Sequence, residues 1–176
     1  MASRKSTADR VATHIRTTLD GVDLEWAETG RGLFTVTLPG TRKQTTECAL
    51  EIGKHTLSAR AFVSRRPDEN HAAVYGWLLQ RNVKLVGVSF ALDTLGDIYL
   101  VGRVPLSEVN EDTADRLLAM IATTADDSFN QILELGFAES IKKEWRWRLA
   151  RGESTANLAA FENLAPERVI NPSTEP

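Results

Sequence analysis

The sequence predicts an α+β fold: an antiparallel sheet packed by helices, in the order helix–strands–helix–strands–helices. Three observations carry this prediction. Apolar residues recur every fourth position near the N-terminus and again from Glu111 onward, the period of a helix with one buried stripe. Between those segments apolar and polar residues alternate in short runs, the period of strands covered on one face. The two kinds of segment come in blocks rather than as repeating strand–helix–strand units, which selects α+β over α/β.

The first helix is expected over residues 6–19, with Ser6 as N-cap and Val11, Ile15 and Leu19 as its buried stripe, stopped by Asp20-Gly21. Four alternating runs follow: Leu24 and Trp26; Phe34, Val36 and Leu38 after the turn at 29–32; Cys48, Leu50 and Ile52; and Leu57, Ala59, Ala61 and Val63. With Gly53-Lys54 between the last two, they read as antiparallel strands. Pro67-Asp68 closes this block and introduces a helix over 69–81, with Val74, Trp77, Leu78 and Arg81 close together and Asn82 as a left-handed terminator. Two strands come next, one with Val86, Val88, Phe90 and Leu92, the other with Ile98, Leu100, Gly102 and Val104; Pro105 marks a strand end or an edge. The helical period then returns through Leu117, Ile121, Ala125, Phe129 and Leu133, with Gly136 as an expected interruption and a further helix over 139–151 ending at Gly152. A short last helix fits 156–164, before Pro166.

At 176 residues the chain suits one domain, expected over 7–152, with residues 1–6 disordered and 153–176 forming a tail. A hydrophobic share of 42% with 26% charged residues is that of a globular soluble protein, and the net charge of −3 gives no global attraction to nucleic acid or an anionic membrane. No run of about 20 apolar residues is present, so no membrane-spanning helix is expected. Arg4 and Lys5 are followed by no apolar run, which argues against a secretory signal. The single Cys48 makes no internal disulfide and fits a cytoplasmic setting.

The segment KKEWRWR at 142–148 sets two tryptophans among basic side chains. On a helix, Phe137, Ile141, Trp145 and Leu149 fall at four-residue intervals and predict one buried stripe. Trp147 lies about 200° from Trp145. It therefore needs another cover: Leu158, Phe161 and Leu164 of the tail, a second subunit or a partner. Lys142, Lys143, Arg146, Arg148 and Arg151 face only Glu144 in this segment, whereas Glu108, Glu111, Asp112, Asp115, Asp126 and Asp127 face only Arg116 upstream. These opposite blocks are expected to pair within the protein or across a dimer.

Chemistry is sparse. His14, His55 and His71 are scattered without metal-ligand spacing, so neither a metal site nor a cofactor is expected. Asp93 and Asp97 lack the spaced ligands and closing Glu of a calcium loop. The glycines at 30–32 and 40 are not followed by the Lys-Ser/Thr helix start of a phosphate loop. No nucleophile–base pattern is visible, and no catalytic residue is expected.

WLLQRN (77–82), VSFALDTLGDIYLVGRVPL (88–106), FNQILELGF (129–137) and IKKEWRWRLARGES (141–154) together resemble the actinobacterial YbjN domain family. That family is described as bacterial sensory-transduction regulators and is related in fold to type III secretion chaperones. The resemblance spans most of 7–164 and implies a secretion-chaperone-like α+β fold. It also implies a non-enzymatic protein, dimeric in its related chaperones, that holds extended segments of a client. The expected function is a chaperone-like or regulatory protein-binding module with a client or partner protein, and a homodimer. The expected contacts are Trp147, Arg148 and Arg151, with Trp77 and Arg81 on the second helix. One alternative is a nucleic-acid-associated regulator using the basic-aromatic segment 142–151, against which the net charge and the helical geometry both argue. The other is a small-ligand sensor.

Overall fold

The computed structural model describes residues 6–166. Among the described residues there are four α-helices: α1 (Thr7–Gly21), α2 (His71–Asn82), α3 (Glu111–Gly136) and α4 (Ala138–Arg151). The strands are β1 (Glu25–Gly30), β2 (Leu33–Pro39), β3 (Thr45–Ile52), β4 (Thr56–Ser64), β5 (Val88–Leu92) and β6 (Ile98–Pro105), and a 3₁₀ segment at Ala156–Leu164 follows α4. The expected order, helix–strands–helix–strands–helices, is the observed one. Residues 1–5 and 167–176 lie outside the described residues, so the expectation for 1–6 falls there except at Ser6.

All six strands form one antiparallel sheet in the order β1-β2-β3-β4-β6-β5. The chain passes from β4 through α2 to β5 at one edge and returns as β6 beside β4. Strand register explains the alternation. Trp26, Val36, Cys48, Ala61, Leu100 and Phe90 stand in one row across the six strands and point to the helices. The next row, Ala27, Thr35, Ala49, Arg60, Val101 and Ser89, points to the other face, where none of these residues is buried. One covered face and one open face is what period-two alternation requires.

The covered face packs against Val11, Ile15 and Leu19 of α1 and Leu117, Ile121, Ala125 and Ile132 of α3. Ser6 caps α1: its hydroxyl accepts from Asp9 N while the Asp9 carboxylate accepts from Ser6 N, a reciprocal pair worth about 1 kcal/mol. Asn110 and Thr113 do the same for α3. Among the described residues no helix is long and apolar enough to cross a membrane.

Two expectations need correction. Asn82 is not a left-handed terminator, since the one described non-glycine residue with positive φ is Asn70 (φ 51°), just before α2. The Asn82 carboxamide instead accepts from Phe90 N at 2.7 Å and donates to Phe90 O at 3.2 Å. It thereby fills the outer edge of β5 as a neighbouring strand would. Val86 does not belong to the alternating run either: β5 starts at Val88, and Val86 and Leu92 are exposed because the sheet ends there.

Candidate functional site

Pairing between β3 and β4 runs from Ile52–Leu57 to Cys48–Ala61 and stops, although both strands continue. Beyond that point β3 pairs only with β2, and β4 only with β6. A bulge between Phe62 and Ser64, opposite Tyr99 and Ile98, bends β4 away at this place. The sheet therefore splits, and α3 shows through the split.

A loop and a carboxylate shape one side of the opening. Asp126 of α3 accepts from the backbone N–H groups of Thr41, Arg42 and Lys43 at 2.8, 2.7 and 2.9 Å and from the Thr41 hydroxyl at 2.8 Å. Burial raises its pKa, but these donors outweigh that and hold it below the usual aspartate value. Gly40 is required here, because a Cβ would sit 2.3 Å from Lys43 O and 2.5 Å from Asp126 Oδ1. The fixed loop delivers the Lys43 ammonium to 5.9 Å from both the Phe62 and the Phe129 rings, where Nζ donates to Thr45 O at 2.6 Å. Desolvation pushes the Lys43 pKa down, with Glu47 opposing it.

The joint between α3 and α4 forms the other side. It falls at Phe137 (φ −141°), beside the expected Gly136. The segment RRPDEN at 65–70 clamps it. Asp68 N and Glu69 N both donate to Gly136 O, Asn70 Nδ2 donates to Leu135 O, and the Glu69 carboxylate caps Glu139 N at 2.7 Å. Asp68 accepts from Ser140 Oγ and receives the Arg65 guanidinium on both oxygens at 2.5 and 2.8 Å, which lowers its pKa to about 2. Arg65 in turn lies 4.5 Å from the centre of the Phe137 ring. Gly136 lets Pro67 approach: a Cβ would meet Pro67 Cβ at 2.8 Å.

Between these two sides lies a cleft of ≈ 540 Å³. Phe62, Val63, Phe129, Leu133, Phe137 and Ile141 supply most of its wall, Leu158 of the 3₁₀ segment closes one end, and Lys43, Arg65 and Glu144 mark its rim. Phe137, Ile141 and Trp145 are buried against Leu158 and Phe161 as a cluster separate from the main core. Leu149, expected on the same stripe, is 54% exposed. Four-residue steps on a 100° helix drift by about 40° each, so three steps from Phe137 turn Leu149 about 120° away.

The expected partner residues divide between two places. Trp147 is 44% exposed on the opposite side of α4 from Trp145, and the Arg151 guanidinium stacks 4.8 Å from the centre of its ring. Leu158, Phe161 and Leu164, the expected cover, instead lie with Trp145's cluster. Arg148 is tied to Glu144 at 2.7 Å and to Ser154 O at 2.9 Å, which links the cleft rim to the tail. Trp77 and Arg81 lie elsewhere, on α2: Trp77 is half-buried with its ring 6.4 Å from Phe90, and the Arg81 Nε is buried with no hydrogen-bond partner.

The opposite charge blocks do not pair within the chain as expected. Lys142 bonds Glu139 and Arg148 bonds Glu144 inside α4, while Asp112 pairs with Arg116 and Asp127 with Arg42. Helical neighbours three or four residues apart are already within reach, so local pairing wins. Cys48 is buried, and burial pushes its thiol up to about 12. Among the described residues no group of three or more His, Cys, Asp or Glu side chains could hold a metal ion.

The sheet, its covering helices and the cleft define an α+β protein of secretion-chaperone-like fold. A chain from the HopA1–SchA chaperone–effector complex superposes with a TM-score of 0.52 at 12% identity, covering 70% of this chain and 95% of that one. A chain from the ExoU–SpcU complex of the Pseudomonas aeruginosa type III secretion system gives 0.48 at 18% identity, covering 69% and 96%. The chain belongs to the YbjN family, described as "Putative bacterial sensory transduction regulator", whose model matches residues 12–134. An uncharacterized protein of Mycobacterium tuberculosis, Rv0487, is 51% identical over 131 residues, 74% of this chain and 72% of that protein. Another from Mycobacterium leprae, ML2442, is 52% identical over 129 residues, 73% and 70% of the two chains. Both α4 and the 3₁₀ segment follow the residues that the family model matches.

Proposed function

We propose that this protein is a non-catalytic, chaperone-like or regulatory binding module of the cytoplasm. In this reading it holds an extended segment of a partner protein in the cleft between β4, α3 and α4. The observation that carries the reading is the split sheet. It exposes an apolar wall and, beside it, strand ends at 45–47 and 62–64 that lack a strand partner on the side of the split. An extended peptide satisfies both needs at once, through main-chain hydrogen bonds to a strand and side chains in the cleft. Family membership and the chaperone–effector fold likeness support the same class.

The rim defines the segment's chemistry. Arg65 and Glu144 already have charged partners in Asp68 and Arg148. Lys43 is partly desolvated, and among the described residues its ammonium bonds only the Thr45 carbonyl. The fitting segment therefore carries two or more aliphatic or aromatic side chains and one carboxylate. Trp147 and Arg151 on the outer side of α4, and Trp77 and Arg81 on α2, would extend the contact for a partner long enough to wrap the module.

The test begins with partners recovered from the native cytoplasm, identified by mass spectrometry and then purified. Leu133→Glu, which puts a charge on the cleft wall, should weaken a direct partner's affinity by at least about tenfold, and Lys43→Glu should weaken it less. Affinity unchanged by Leu133→Glu in a variant whose circular dichroism is native would remove the cleft from the reading.

A further inference from the structure

We propose that the open face of the sheet carries a small-molecule site, over β6, that takes a nucleoside monophosphate. Tyr99, Val101 and Arg103 of β6 point to this face, with Arg60 of β4 on one side and Ala91 of β5 on the other. Together with Leu92 and Asp93 they line a trough of ≈ 620 Å³, within the size range of small-ligand sites. The Arg60 guanidinium lies 3.9 Å from the centre of the Tyr99 ring, and its side chain is 55% exposed. Its outer surface is therefore a charged plane, supported from beneath by an aromatic ring, on which a further ring stacks.

Two further groups complete the recognition. Arg103 is exposed, and its guanidinium has no hydrogen-bond or ion-pair partner among the described residues. It faces Ser58 where Arg60 faces Val101, so the two arginines are diagonal neighbours across the β4–β6 pair, about 7–8 Å apart at Cα. Asp93 stands at the opposite end of the trough from Arg103. Its Oδ1 accepts from Leu95 N and Asp97 N, both at 2.9 Å, whereas Oδ2 stays 3.9 Å from Arg60, too long for a hydrogen bond. Asp93 thus steadies Arg60 on Tyr99 by charge and keeps one oxygen for the N–H of a ring. Along β6 the trough therefore offers an acceptor, a stacking plane and an uncommitted cation, and its two arginines outweigh its one carboxylate. A nucleoside monophosphate uses all three through base and phosphate. Inorganic phosphate or a simple carboxylate uses only the cation, and an uncharged aromatic leaves Arg103 without a partner.

The trough lies over β6, apart from the split between β3 and β4, so this site stands or falls independently of the cleft reading. The experiment is isothermal titration calorimetry of the full chain at low salt. The probes are AMP, GMP, CMP and UMP, their nucleosides, inorganic phosphate and a single-stranded RNA of about ten nucleotides. An open trough leaves part of the ligand in water, so the preferred monophosphate should bind one-to-one with a Kd of about 10–100 µM. Its nucleoside should bind at least about tenfold more weakly, and inorganic phosphate not measurably. Arg103→Ala should lower the monophosphate to the affinity of its nucleoside and leave the nucleoside unchanged, whereas Arg60→Ala should weaken both. The proposal is overturned if none of the four monophosphates binds at millimolar concentration, or if inorganic phosphate binds as well as they do. It is equally overturned if neither arginine substitution moves the affinity. RNA that binds at least about a hundredfold more tightly than any monophosphate, with steep salt dependence, would overturn it in favour of a nucleic-acid track. The comparison among ligands uses the native chain, so a folding defect in either variant leaves the proposal testable.

Discussion

The main core takes side chains from β2 to β6 and from α1, α2 and α3 into one continuous cluster, whereas α4 and the 3₁₀ segment rest on a second cluster of Phe137, Ile141, Trp145, Leu158 and Phe161. The first is held by long strand ladders and fully buried aliphatic residues such as Ile98, Leu100 and Ile121. The second depends on those five side chains and on the polar clamp from 65–70. A segment with few buried apolar contacts opens at lower free energy than the body that carries it. The cleft lies between the two, so one wall belongs to the large core and the other to the smaller cluster, which opens at lower free energy. That arrangement suits a site that must admit a chain and then close on it.

The largest effect separating the two regions is expected from Ile121→Ala, which removes three carbons from a wholly buried site between α3 and the sheet. It should cost about 4 kcal/mol of global stability, measured by urea unfolding. Trp145→Ala removes more atoms but should cost less globally, on the order of 1–2 kcal/mol, because α4 undocks before the core unfolds. Amide hydrogen exchange decides between local and global loss. The expected pattern is faster exchange across 138–164 with protection in β3, β4 and α3 unchanged. Uniform acceleration over the whole chain would show that the two regions unfold as one.

The same contrast explains how far the sequence could be read. The strands were legible because one covered face imposes strict alternation, and Val36, Cys48, Ala61 and Leu100 form a single row in the sheet. The cleft was not, because it comes from a ladder that stops short and from Asp126 reaching a loop more than eighty residues away. Neither leaves a periodic trace. The RRPDEN clamp leaves a weak signal: four charged residues around Pro67, legible only as the end of a strand block and the start of a helix. Leu149 misled because a four-residue interval was carried one step too far around the helix, and Asn82 because its carboxamide serves an adjacent strand instead of a helix end. Residue type alone singles out Trp77, Arg81, Trp147, Arg148 and Arg151 in the sequence. The structure sets Trp147 beside Arg151 on α4 and leaves Trp77 and Arg81 on α2.

The smallest effect sharpens the comparison most, because it involves two like side chains two residues apart. Trp147 keeps 44% of its surface in water, and the guanidinium of the exposed Arg151 stacks on its ring. Replacing it with alanine opens no cavity and strands no buried polar group, so stability should change by no more than about 0.5 kcal/mol. A cation–π contact at such a site is worth about that much. The neighbouring Trp145→Ala should be several times more costly and should release the tail. If instead both substitutions cost the same in thermal and urea unfolding, Trp147 must be covered in solution by something other than Leu158, Phe161 and Leu164. Repeating the measurement across protein concentration then separates a second copy from an internal cover, since only a second copy makes the cost of losing the indole grow as the protein is concentrated.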